Sequence, residues 1–143
     1  MSHRIGPSNP SHPVISITAK SPYALEALVA LAADPGTEPV PIGELARRRG
    51  IPVQFLEQLF GALRRAGVLR SQRGVKGGYS FARDPRAISA LEIVELLDGP
   101  LGGEAEGLFA DAAAAARAVL AAVTIADLVL REARAAGAAS YQI

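Results

Sequence analysis

Gln54, Glu57 and Gln58 recur at helical spacing, and Arg73-Gly74-Val75-Lys76-Gly77-Gly78 follows them closely in the chain. The first set suits contact with base edges and the second contact with a polyanionic backbone or groove, rather than the making or breaking of a bond. Gln can pair bidentately with adenine, Glu can accept from the cytosine amino group, and Arg and Lys can meet phosphate. The parts of an enzyme are missing elsewhere. The chain has no cysteine, no Ser-His-Asp set and no paired carboxylates in an evident pocket. The glycines at 74–78 also lack the Ser/Thr and following helix that complete a phosphate-binding loop. We therefore expect a non-enzymatic protein.

The elements that must position these residues can be read from periodicity. Ser21 is expected to cap a first helix with Pro22 at its opening position, and Leu25, Leu28, Val29 and Ala32 recur at helical spacing until Asp34-Pro35-Gly36. Pro41 opens a short second helix, with Ile42, Leu45 and Ala46 inward and Gly50 closing it. Pro52 then starts a third, whose Phe55, Leu56, Leu59, Phe60 and Leu63 form one apolar stripe up to Gly67. With that stripe buried, Val53, Gln54, Glu57, Gln58 and Gly61 face outward. Two helices joined by a tight glycine-containing turn form a helix-turn-helix.

After Gly67 the pattern alternates, predicting short strands at Val68 to Gln72 and Tyr79 to Arg83 around the basic glycine turn, with Leu69, Tyr79 and Phe81 beneath the third helix. Ser89 to Glu92 is a capping box for a fourth helix ending at Asp98-Gly99-Pro100, and 99–103 reads as a hinge-like linker. From Glu104 to Ala122 the chain is Ala-rich and helical. Thr124 to Asp127 is a second capping box, opening a last helix to about Ala135.

The expected architecture is mostly α with a small β wing. A flexible arm at 1–13 precedes a winged helix-turn-helix domain at 14–98, the linker at 99–103 and a helical dimerisation region at 104–143. Leu108, Phe109, Ala112, Ala116, Val119, Leu120 and Val123 line one side of the Ala-rich helix. Small residues let two such helices approach closely, so a second copy of the chain is the expected partner. The alternative is that this helix packs on its own domain as an ordinary core helix.

Charge agrees with that division. Residues 1–86 hold 12 Lys/Arg against 6 Asp/Glu, and residues 87–143 hold 3 against 8. Between Arg47 and Arg86 there are ten basic residues and two acidic ones, Glu57 and Asp84, a density that draws polyanions. Within that framework Gln54, Glu57 and Gln58 are the candidate base readers. Arg73, Gly74, Lys76, Gly77 and Gly78 form the candidate wing, with Arg73 expected in the minor groove. Lys20, Tyr23, Arg47, Arg48 and Arg49 are candidate phosphate contacts. Glu57 has a competing reading as a plain ion-pair partner of Arg64 or Arg65.

Several of these motifs, in this order, resemble the Rrf-two family of bacterial transcription regulators. They are Ile17 to Leu25, Pro41-Ile42, Gly50-Ile51-Pro52, Phe55 to Leu59, Arg73-Gly74, Gly77-Gly78-Tyr79, Ile93 and Thr124 to Leu128. The resemblance covers roughly 15–130 and implies a homodimeric, DNA-binding, usually repressing winged-helix protein. Cluster-bearing members place cysteine ligands between the fourth helix and the dimerisation helix. Here that segment is Asp98-Gly99-Pro100-Leu101-Gly102-Gly103-Glu104-Ala105-Glu106, without a thiol. His3 and His12 lie in the arm, and thiolates are what cluster ligation requires. The expectation is a member with no cofactor and no metal, Glu104, Glu106 and Asp111 answering the helix dipole instead.

The partners expected are double-stranded DNA and a second copy, with no membrane. The absence of cysteine is compatible with a reducing cytosol, and no leader or spanning segment is expected, so the location expected is cytoplasmic. Either an unknown small-molecule or protein effector acts near 98–106, or control follows protein level alone. A winged helix can also serve as a protein-interaction module without specific DNA binding, and that is the competing reading of function.

Overall fold

The computed structural model describes residues 17–140. Six α-helices and a two-stranded wing follow one another as α1 (Lys20–Ala33), α2 (Ile42–Arg49), α3 (Val53–Arg65), β1 (Leu69–Gln72), β2 (Gly78–Phe81), α4 (Ala90–Asp98), α5 (Gly107–Ala121) and α6 (Ile125–Ser140), with a 3-10 turn at Pro85–Ala87 before α4. The core gathers Ala24, Ala27 and Leu28 of α1, Leu45 of α2, and Leu56, Leu59, Phe60 and Leu63 of α3. Val68, Ile88, Ile93 and Ile125 complete it. The apolar stripe expected on the third helix is thus the face α3 buries, and its polar face is left to solvent.

Helix ends follow local rules where local partners suffice. Gly67, at φ +82°, ends α3 in the left-handed region: its N–H donates to Arg64 O and the N–H of Val68 to Leu63 O, each at 3.0 Å. That double bond releases the chain directly into β1. Thr124 and Asp127 cap α6 reciprocally, Thr124 Oγ1 accepting from Asp127 N at 3.0 Å and the Asp127 carboxylate from Thr124 N at 2.9 Å. At α4 only half of the box forms. Ser89 Oγ accepts from Glu92 N at 3.1 Å, while the Glu92 carboxylate turns away to Arg83.

Three boundaries differ from the sequence expectation. Ser21 does not cap α1; Ala19 occupies that position, and Ser21 is buried with its hydroxyl donating to Asp98 at the end of α4. Thr18 Oγ1 donates to the other Asp98 oxygen at 2.5 Å and accepts from Lys20 N at 3.2 Å. A carboxylate delivered from far along the chain outcompetes the local cap, since charge-assisted bonds are the stronger ones. Pro22 remains in the first turn, where its missing N–H is not needed. Helix α5 begins at Gly107 rather than Glu104, and Leu101 and Gly102 of the intervening segment are buried, so that stretch is anchored rather than hinge-like. Helix α6 continues to Ser140, past Ala135, because the residues there are good helix formers and one interior glycine, Gly137, costs only about 1 kcal/mol.

The wing is antiparallel, with Leu69 opposite Phe81 and Ser71 opposite Tyr79. Val40, just before α2, adds a third edge by exchanging bonds of 2.9 and 2.8 Å with Tyr79. This seam explains Gly78. A Cβ there would lie 2.3–2.6 Å from the backbone of Val40 and Pro41. Starts of α4 and α6 are joined in the same manner, Ala90 N donating to Val123 O and Ile125 N to Ile88 O. Helix α6 packs along α1, while α5 leans on α4, to which Arg117 pairs through Glu95; Ala113 is the one buried residue of α5.

Candidate nucleic-acid interface

Helix α3 presents Val53, Gln54, Glu57 and Gln58 to solvent on one face, with Gly61 half-buried beyond them. Among the described residues Glu57 makes no ion pair, so the competing pairing with Arg64 or Arg65 is not formed. Glu57 is exposed on the same face as the two glutamines. That is a row of hydrogen-bonding groups on a helix slim enough for a major groove.

The wing tip lies beyond this helix. Gly77 N donates to Gly74 O at 2.9 Å and closes the turn around Val75 and Lys76, whose side chains, with that of Arg73, are exposed. The three tip glycines do different jobs. A Cβ at Gly77 would stand 2.3 Å from Gln72 O, so Gly77, like Gly78, is demanded by the chain's own backbone. Gly74 meets nothing within 4 Å, and there it is the backbone conformation, φ +111°, that favours glycine.

Two ring pairs hold helix and wing together. Tyr23 of α1 is half-buried and stands edge-on to Phe55 of α3, centroids 5.7 Å apart at 85°. Phe60 on the buried face of α3 meets Tyr79 of β2 at 5.1 Å and 76°. Such contacts contribute about 0.5–1.5 kcal/mol each beyond burial. Lys20 and Tyr23, α3 and the wing are thereby fixed relative to one another. The packing of Tyr23 on Phe55 was not visible in the sequence, where Tyr23 figured as a phosphate contact.

The basic triplet of α2 is differently disposed. Arg47 pairs with Glu44 at 2.6 Å, and Arg48 with Glu44 at 3.1 Å and Asp34 at 3.2 Å. Arg49 makes a two-pronged bond to Glu132 of α6, 2.7 Å on both arms. Hydrogen bonds from Arg47 and then Arg48 hold the Glu44 carboxyl below the usual range, and the bond from Arg49 does the same for Glu132. The guanidiniums of Arg47 and Arg49 are pushed up correspondingly by these partners. Lys20, Arg64, Arg65, Arg70, Arg73 and Lys76, in contrast, have no ion-pair partner among the described residues. Arg70 was missed by the sequence reading. Strand alternation was the available signal, because it turns Arg70 to solvent between buried Leu69 and the tip.

On α5, Leu108, Phe109 and Val119 are 76%, 60% and 66% exposed; Ala112 is exposed as well, and Ala116 and Leu120 are half-buried, as is Val123 just beyond the helix. Most of that stripe has no cover among the described residues. No helix among the described residues is long and apolar enough to cross a membrane.

A three-helix core with a helix-turn-helix and a glycine-tipped hairpin is a winged helix-turn-helix. Residues 17–107 match the family described as "Rrf2: Iron-dependent Transcriptional regulator", and the chain belongs to that Rrf2 (Rrf-two) family. It is 44% identical over 88 residues to a protein named as a putative HTH-type transcriptional regulator, rrf2-like, of Rhodobacter capsulatus, covering 59% of each chain. It is 38% identical over 82 residues to the HTH-type transcriptional regulator IscR of Klebsiella pneumoniae, covering 57% of this chain and 50% of that one. The chain thus spans only 50–59% of the length of these curated relatives.

Among solved structures, the global cysteine regulator CymR of B. subtilis superposes with a TM-score of 0.74 at 32% identity, over 82% of this chain and 98% of that one. IscR of T. potens gives 0.69 at 32% identity, over 83% and 88%. These relatives are regulators, not enzymes. The family description carries iron dependence, but the donor set here does not fit a thiolate-held iron group: the chain has no cysteine, and no three His, Asp or Glu come together to hold a metal among the described residues. His3 and His12 lie outside the described residues.

Proposed function

We propose that this protein is a homodimeric, sequence-specific DNA-binding transcription regulator, acting in the cytoplasm as a repressor. The observation that carries the reading is the row Gln54, Glu57 and Gln58, exposed on α3, beside a wing whose Arg73 and Lys76 have no ion-pair partner among the described residues. Residues 52–66 lie in the major groove, with Gln54 and Gln58 able to pair with adenine and Glu57 to accept from cytosine. The 73–78 wing lies in the minor groove or along the backbone. Lys20 and Tyr23 meet phosphate near the start of α1. The Arg47–Arg49 cluster contributes phosphate contacts only to the extent that its carboxylate partners yield.

A second copy of the chain covers the α5 stripe of Leu108, Phe109, Ala112, Ala116, Val119, Leu120 and Val123. That arrangement sets two reading helices about one DNA turn, or a multiple of it, apart, so the operator is palindromic. The experiment is selection from random duplex DNA by the purified protein at physiological salt with excess non-specific competitor. A two-fold symmetric motif supports the reading. Folded protein that selects nothing overturns it and favours a winged-helix module that binds a protein instead.

A further inference from the structure

Val75 is the most exposed large apolar side chain among the described residues, at 104% of its reference area. Single apolar residues at a surface are common and by themselves mean little. This one is unusual in what surrounds it. It occupies the first central position of the turn closed by Gly77 N to Gly74 O, between Arg73 and Lys76, which have no ion-pair partner among the described residues. The turn is closed by that backbone bond and the hairpin is tied down by the Val40–Tyr79 pair, neither of which involves Val75. A β-branched residue at such a place gains nothing for folding.

We propose that Val75 is a specificity-determining residue that makes the wing select A·T over G·C base pairs in the minor groove. This inference rests on the DNA-binding reading above. Flanked by two cations drawn toward the phosphate walls, the side chain at the tip of the hairpin points to the groove floor. That floor carries only acceptors at A·T pairs, whereas G·C adds the guanine 2-amino donor. An isopropyl group cannot accept a hydrogen bond. Pressed over a guanine it leaves the amino group dry and unpaired, and pressed over an A·T pair it leaves no donor stranded. The base pairs beneath the wing in each half-site are therefore A·T.

Base analogues isolate the effect, because they change the minor groove and leave the major-groove pattern intact. On the selected operator, each adenine of the flanks is replaced in turn by 2,6-diaminopurine, which adds the 2-amino group. A G·C pair placed at the same positions is compared with inosine·C, which lacks it. The wild-type protein is expected to bind A·T and inosine·C versions about tenfold more tightly than G·C and diaminopurine·T versions at the wing positions. Val75→Asn, which can accept from the amino group, should bring that ratio close to one while leaving the salt dependence unchanged, and Val75→Ile should keep the ratio. The substitutions do not endanger the fold, since the side chain is fully exposed. Specific binding with no response to the 2-amino group at any position, or a full ratio retained by Val75→Asn, overturns the inference and leaves the DNA-binding reading standing. Absence of specific binding to any duplex overturns both.

Discussion

The arginines of α2 and the cations of the wing are equally conspicuous in the sequence, but the fold treats them oppositely. Arg47, Arg48 and Arg49 are each claimed by a carboxylate: Glu44, Asp34 with Glu44, and Glu132. Arg73 and Lys76 stand on a hairpin with no ion-pair partner among the described residues. A dense positive run along a chain is thus no measure of the charge available to a ligand. The α2 cluster has its charge answered by the protein's own carboxylates, and the charge of the wing is left unanswered among the described residues.

The contrast is testable by substitution. The largest effect is expected for Arg73→Glu, which should weaken binding to every duplex by roughly tenfold to a hundredfold and lower the salt slope by one or more, read from titrations at several salt concentrations. An unaltered slope would mean the wing does not touch phosphate or groove. Glu57→Ala should cost about 1–3 kcal/mol at one base pair and relax the preference there, leaving binding to unrelated sequences untouched; an unchanged selection profile would remove Glu57 from the readers.

Glu132→Gln should lower stability by about 0.5–1 kcal/mol, a fall of several degrees in Tm, because the bond to Arg49 is two-pronged yet half open to solvent. Glu132 titrates below its ordinary value of about 4.5 in the folded protein, so this contribution is complete above that pH and lost as the pH falls through the lower folded value. The difference in Tm between wild type and Glu132→Gln should accordingly close in acid. Smallest of all, Arg47→Ala should change DNA affinity by less than about twofold, since its charge is largely answered by Glu44. A full-unit drop in its salt slope would show that DNA pulls Arg47 away from Glu44, and would erase the distinction between the two clusters.

Legibility in the sequence followed distance along the chain. The α3 stripe, the Gly67 end, the Thr124–Asp127 cap and the two strands were readable because each is decided within a few residues. The misplaced Ser21 cap and the unforeseen engagement of Arg49 have one cause. Their partners, Asp98 and Glu132, are 77 and 83 residues away, and no local pattern announces them. The glycines of the wing were legible as a turn, but not the division among them. That Gly77 and Gly78 answer to the chain's own backbone depends on where Gln72, Val40 and Pro41 come to rest. The outward row on α3 was legible because burying one side of a helix determines the other.

The two bonds between Val40 and Tyr79 stitch the hairpin to the residue before Pro41, where α2 begins. Mechanically, that seam makes the wing the second jaw of a calliper whose first jaw is α3. The gap between the jaws is preset, so the hairpin cannot swing out to search while α3 stays seated. Under the proposed DNA-binding reading, both jaws would grip or release a half-site together, and dissociation from one half-site should proceed as a single event rather than by peeling.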